Sequence, residues 1–151
     1  MGVVVPVVAP LIACGGAGPL QTNTVVGQKS GAIAVLIDAP AVPAVRCAMD
    51  SYLGQTGRGI KYGAGAPDQI ATTVKDGLPT DAVILPPGPA LDRIRDELAS
   101  PPLPFLSTSS TTFWVAPVTD RGLSFTRFLA GRRGSAALNS PACAAQRPGN
   151  V

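Results

Sequence analysis

Short apolar runs alternate with segments whose apolar residues recur every three or four positions. Residues 32–37 (AIAVLI) are apolar without alternation, the pattern of a strand buried on both faces. Asp38, Pro40 and Pro43 end it, and from Val42 a helical spacing takes over through Val45, Met49 and Leu53, to be stopped by Gly54 and Gly57. Residues 59–62 form a second short strand, and 63–66 (GAGA) a small-residue loop. Pro67 stands where a first helical residue is favoured, opening a helix over 67–76 with Ile70 and Val74 on one face and Gly77 at its end. Residues 82–85 (AVIL) are a third buried strand, followed by Pro86-Pro87-Gly88. A helix over 89–99 carries Leu91, Ile94 and Leu98 inward and an Arg93–Glu97 pair outward.

Residues 100–110 read as a Pro/Ser/Thr loop, and 113–118 (FWVAPV) as a fourth strand that Pro117 ends or confines to an edge. A helix over 122–133 buries Phe125, Phe128 and Leu129, with Arg132 and Arg133 at its C-terminus, where the helix dipole favours cations. Residues 135–138 add a turn, the tail from 139 is irregular, and no repeat is present. Strands alternating with helices predict an α/β fold: a three-layer domain with a mostly parallel sheet over residues 31–143, and an irregular tail over 144–151.

The N-terminus follows another rule. Residues 3–13 (VVVPVVAPLIA) are apolar but too short to span a bilayer, which needs about 20 residues. They fit the apolar core of a secretory signal. Leu11-Ile12-Ala13-Cys14-Gly15 then resembles the bacterial lipobox, in which the cysteine is lipidated and becomes the mature N-terminus. No Lys or Arg precedes it, unlike the usual signal. The resemblance implies a signal-like segment over 1–13, a lipid on Cys14 anchoring the chain to the outer face of the bacterial cell membrane, and a flexible Gly/Thr-rich tether over 14–30. The alternative is a buried first strand ending in a free thiol.

Charge and cysteine usage narrow the chemistry. The 151 residues carry a formal net charge of +3 and only 14% charged residues. No Lys/Arg run gives a nucleic acid a footprint. Histidine is absent, which excludes histidine-based triads and histidine metal sites. With Cys14 lipidated, Cys47 and Cys143 remain, either as a disulfide in an exported protein or as two buried thiols.

Several features in order resemble the first lobe of the periplasmic molybdate-binding proteins, the solute-binding components of ABC transporters. They are the AIAVLI strand, Gln55-Thr56-Gly57, the GAGAP loop before Gln69-Ile70, and residues 76–84 (DGLPTDAVI), which look like the family's GAPADVFI segment. Residues 113–118 and 124–129 (SFTRFL) resemble its closing strand and helix. The likeness covers about two-thirds of the chain and implies one lobe of a type II periplasmic binding protein. It also implies an extracytoplasmic solute-binding function, a molybdate-like anion as ligand, an ABC permease as partner and no cofactor. In that fold the chain returns to the first lobe at its end, which would bring Cys143 to Cys47. Residues 100–111 stand where most of a second lobe belongs.

The family holds oxyanions with serine hydroxyls and backbone N–H groups at helix N-termini. Here Pro40 occupies one serine position and Ala66 or Pro67 the other, and neither proline has an N–H to give. The ligand site, at the carboxyl ends of the strands, is expected at Asp38, Ala39, Gly63, Ala64, Gly65, Ala66, Pro86 and Pro87; the bland alternative is ordinary turn residues. GAGAP lacks the lysine of a phosphate loop. Asp81 reads as a cap or a local hydrogen-bonding group, Trp114 as core, and Asp92, Asp96 and Glu97 as a solvated face. Residues 107–112 offer hydroxyls with no base to activate them. No catalytic group is expected. The functions left open are a reduced solute-binding protein with a degraded oxyanion site, or a non-binding lipoprotein acting as a structural or interaction module.

Overall fold

The computed structural model describes residues 21–24 and 32–145. The signal-like segment, Cys14, most of the tether and the end of the tail lie outside the described residues. Among the described residues six strands form one sheet: β1 (Gln21–Thr24), β2 (Ile33–Asp38), β3 (Ile60–Gly65), β4 (Ala82–Leu85), β5 (Leu103–Ser107) and β6 (Thr112–Pro117), in the order β1-β3-β2-β4-β6-β5. Six α-helices accompany them among the described residues: α1 (Val42–Thr56), α2 (Pro67–Lys75), α3 (Pro89–Arg93), α4 (Leu123–Ala130), α5 (Arg132–Asn139) and α6 (Pro141–Ala144).

Strand alternation decides the layers. In β2, Ile33, Val35 and Ile37 face α1, α4 and α5, packing with Val45, Met49, Tyr52, Phe125 and Leu138. Leu36 faces the other way, and with Val83, Leu85 and Ala116 it packs against α2 and α3 through Ile70, Val74, Leu91 and Ile94. Helices therefore cover both faces, and the architecture is α/β in three layers. The aromatic centre of the larger core is Tyr52, whose ring meets Phe125 and Phe128 edge-on at 5.3 and 5.2 Å. Its hydroxyl shares a 2.8 Å hydrogen bond with Ser124 Oγ.

Parallel pairing is confined to the centre, where β2 lies between β3 and β4. The pairs β1–β3, β4–β6 and β5–β6 are antiparallel, so the sheet as a whole is mixed and not mostly parallel. The reason is connection length: the turn between β5 and β6 is too short for a crossover helix, and a hairpin must be antiparallel.

Other expectations also change. Gln21–Thr24, within the expected tether, pairs with β3 as an edge strand. The segment expected as a loop, Gly63-Ala64-Gly65, is the second half of β3, held between β1 and β2. α1 runs through Gly54 and ends only at Gly57, whose φ of 75° closes the helix with its N–H on Leu53 O. α3 stops at Arg93; a 3-10 turn at Arg95–Glu97 keeps Ile94 in the core and lets Ala99 N–H reach Pro117 O at 2.9 Å. The Arg93–Glu97 pair therefore does not form. Arg93 faces Asp68 and Lys75 faces Glu97, joining α2 to the α3 segment.

The loop expected over 100–110 contains β5. Its Pro104 is tolerated because β5 is an edge strand with a bulge between Pro104 and Leu106. The helix expected over 122–133 breaks at Gly131 into α4 and α5. Arg132 and Arg133 thus open α5 and do not close a helix, the unfavourable end for a cation. Gly134 permits the break: a Cβ there would run into the backbone of Phe128 and Leu129, so the two helices meet backbone to backbone. Among the described residues no helix is long and apolar enough to cross a membrane.

Candidate functional site

β2, the first of the three parallel strands, lies centrally. The chain passes to β3 on one side through α1, then to β4 on the other through α2, on opposite faces. Such a reversal leaves a crevice beyond the carboxyl ends of the strands, where ligands of open α/β sheets bind. Register fixes what meets there. Asp38 is level with Gly65, and Ile37 with Ile84, so the chain leaving β4 at Pro86 and Pro87 runs beside Ala39. The expected residues Asp38, Ala39, Gly63, Ala64, Gly65, Ala66, Pro86 and Pro87 are thus brought to one edge.

Asp38 is the charged group at its centre. It is 7% exposed, and strand alternation turns it toward the α2–α3 side. Burial pushes its carboxyl above the ordinary carboxylate range, and the backbone N–H of Ala39 pulls it partly back. It forms no salt bridge with a described residue. A buried carboxylate without a cation in such a crevice fits a group awaiting a partner.

Several of the anion-binding donors are consumed. Gly63 and Ala64 pair with strands on both sides, so the expected N–H cradle is sheet. The Ala66 N–H donates to Gln69 Oε1 at 3.0 Å. Pro67 and Pro89 occupy the first positions of α2 and α3, Pro43 the first turn of α1, and Pro40 the 3-10 turn before it. Each removes an N–H that a helix N-terminus would otherwise offer. Ala39 and Pro87 are exposed and Pro86 is half-buried, and none adds a side-chain donor. Gly88, at φ 149°, turns the chain into α3 in a conformation that side chains rarely adopt.

The β5–β6 hairpin reaches the same edge, because β6 begins there, beyond its Trp114–Leu85 pair. Its hydroxyls mostly serve the turn. Thr108 Oγ1 accepts from the N–H groups of Ser110 and Thr111 and donates to Thr111 O, while Ser107 and Thr112 share a 3.3 Å contact. The wealth of Ser and Thr was visible in the sequence; their position at the carboxyl edge, with β4 between β2 and β6, needed the pairing of β6 with β4 and β5.

Asp81 lies at the opposite edge and bonds far beyond its neighbourhood. Its carboxylate accepts from Ala34 N–H at 2.9 Å and Thr119 Oγ1 at 2.7 Å, with Arg121 Nε at 3.6 Å. It ties the starts of β2 and β4 to the turn before α4, a structural role that replaces the expected local one. Trp114 packs with the α2–α3 cluster as core, half-buried, and its buried Nε1 has no partner among the described residues. Asp92, Asp96 and Glu97 are exposed, as a solvated face requires.

Cys47 of α1 and Cys143 of α6 are at disulfide geometry, with Cα atoms 5.5 Å apart across 96 residues of sequence. A cleft of about 520 Å³ opens beside them, lined by Val42, Pro43, Arg46, Cys47, Asp50 and Ala142. No group of three metal-binding side chains is present among the described residues. No protein-family model, curated protein or solved structure matches the chain.

Proposed function

We propose that this chain is a lipid-anchored, extracytoplasmic domain of the solute-binding type, reduced to one lobe, whose crevice has turned from oxyanions to small cationic solutes. The observation that carries the reading is Asp38: a buried carboxylate without a cation, at the point where the strand order reverses. An anion there would meet repulsion of roughly 4 kcal/mol at 4 Å and an effective dielectric of 20. With the Gly63, Ala64 and Ala66 N–H groups engaged, the edge has fewer donors to offset that. A cation meets the same term with the opposite sign.

Two further features support the lobe interpretation. The β5–β6 turn, Thr108 to Thr111, stands at the carboxyl edge, where an inserted second lobe would lie over the crevice. The Cys47–Cys143 geometry suits an oxidising compartment, in keeping with the lipobox-like Cys14. Likeness to the molybdate-binding components of ABC transporters then describes ancestry, and a permease remains a proposed partner.

The second reading, a non-binding lipoprotein module, is favoured by the sealing of several N–H donors at this edge. Thermal-shift screening separates the two, using small ammonium compounds alongside molybdate, tungstate and sulfate. A saturable shift with a cation, lost in Asp38→Asn, supports the solute-binding reading. Silence with every solute supports the module, and tight oxyanion binding contradicts both.

A further inference from the structure

The charge of this protein is unevenly placed. No Asp or Glu follows Asp120, while five arginines do: Arg121, Arg127, Arg132, Arg133 and Arg147. The first 120 residues are acidic, with seven Lys and Arg against nine Asp and Glu. The structure separates the two populations in part, since Arg121 reaches Asp81. On the α2–α3 face the cations are matched: Lys75 with Glu97, Arg93 with Asp68, and Arg95 with Asp92. At the corner between α4 and α5, Arg127, Arg132 and Arg133 are exposed and make no ion pair with any described residue. Two of them open a helix, where the dipole disfavours a cation, so helix stability does not explain them.

From this surface we infer that the α4–α5 corner rests on anionic phospholipid headgroups. The tether is long enough for the corner to meet the membrane that holds the anchor. β1 begins at the carboxyl edge, with Gln21 opposite Ala64. Cys14 lies seven residues earlier, a reach of at most about 25 Å at roughly 3.5 Å per residue. β6 ends at the other edge, where Pro117 pairs with the first residue of β4. α4 packs across β6 and β5, so the corner lies by the sheet edge opposite β1. The choice of a membrane over an acidic protein rests on the lipid-anchor reading of Cys14. A lipid and a basic patch together are the two signals that stable membrane attachment needs.

The test is vesicle co-sedimentation of the full chain carrying Cys14→Ala, so that no acyl chain contributes. Vesicles of phosphatidylcholine alone are compared with vesicles of phosphatidylcholine and phosphatidylglycerol in equal parts. Preference for the anionic vesicles is expected, falling about fivefold for each arginine removed and about a hundredfold for Arg127→Gln, Arg132→Gln and Arg133→Gln together. High salt should abolish the preference, and the triple Arg→Lys variant should keep it. Equal partitioning of the unsubstituted corner onto both vesicle types overturns the inference, as does a triple Gln variant that binds as before. Binding to immobilised polyglutamate through these arginines, with phosphatidylglycerol ignored, overturns it in favour of an acidic protein. Failure of Cys14 to take a fatty-acid label is a separate result, which strikes the anchor and not the corner's affinity.

Discussion

Breaking the Cys47–Cys143 link should cost this fold a large share of its stability. The two cysteines are 96 residues apart, and a bridge across them restricts nearly the whole folded domain in its unfolded state. Chain-entropy arithmetic for a loop of that length gives about 4.7 kcal/mol at 25 °C. With about 2.1 cal/mol/K of unfolding entropy per residue, a domain of roughly 115 residues loses roughly 15–20 °C in melting temperature. The link acts through α6, a four-residue helix that packs on α1 and α5 and whose cap is Ser140 Oγ accepting from Cys143 N–H. The assay is circular-dichroism melting of the full chain, oxidised and reduced, beside a Cys47→Ser, Cys143→Ser variant. The reduced protein and the double variant should melt together, well below the oxidised form. Coincident melts of all three, with proteolysis changed only near residues 140–145, would refute the reasoning: the link would then hold α6 locally and restrain little else. Thiol counting that finds both cysteines free after export would remove the premise.

Other predictions follow from single residues. Burial raises the Asp38 pKa above its unfolded value, so the stability this group contributes is complete below the unfolded pKa and fades as pH rises through the folded one. Asp38→Asn should therefore melt higher than wild type at pH 7 and flatten the pH dependence above the ordinary carboxylate range; an unchanged melt and slope would contradict its burial. Gly122→Ala should destabilise by about 1–3 kcal/mol, because its Cβ would meet the Asp81 carbonyl and lie 3.3 Å from Ala82 Cβ. Denaturant midpoints test this, and a neutral result would mean that the turn is looser than described. In a bacterial host, a fatty-acid probe should label the wild-type chain and spare Cys14→Ala; equal labelling of both would end the anchor proposal.

The parts of the fold legible in the sequence are those whose local signals act alone. The run AVIL is β4, and Pro67 opens α2 with Ile70 and Val74 buried. Elsewhere the deciding partner is distant. Gly63-Ala64-Gly65 has weak strand propensity and reads as a loop, yet β1 and β2 on either side hold it extended. Pro101, Pro102 and Pro104 signal a loop, but an edge strand needs only one row of hydrogen bonds. The helical pattern from Leu123 continues past Gly131, and the break there goes with a close approach of Gly134 to the Phe128–Leu129 backbone that only a residue without a Cβ allows. Site positions at strand ends were readable because α/β alternation implies them. The burial of Asp38 and the use of the Ala66 N–H by Gln69 arise from packing that no local pattern encodes.

The claim that the crevice selects against anions and for cations through Asp38 is tested most directly by isothermal titration. The full chain is titrated at pH 7 with the ammonium compound that gives the largest thermal shift, and with molybdate. Asp38→Asn is the test variant, and Asp92→Asn, at an exposed position, the control. Saturable cation binding in wild type and in Asp92→Asn, lost in Asp38→Asn, with no heat from molybdate in wild type, is the predicted result. Micromolar molybdate binding by wild type, or cation binding indifferent to Asp38→Asn, would contradict it.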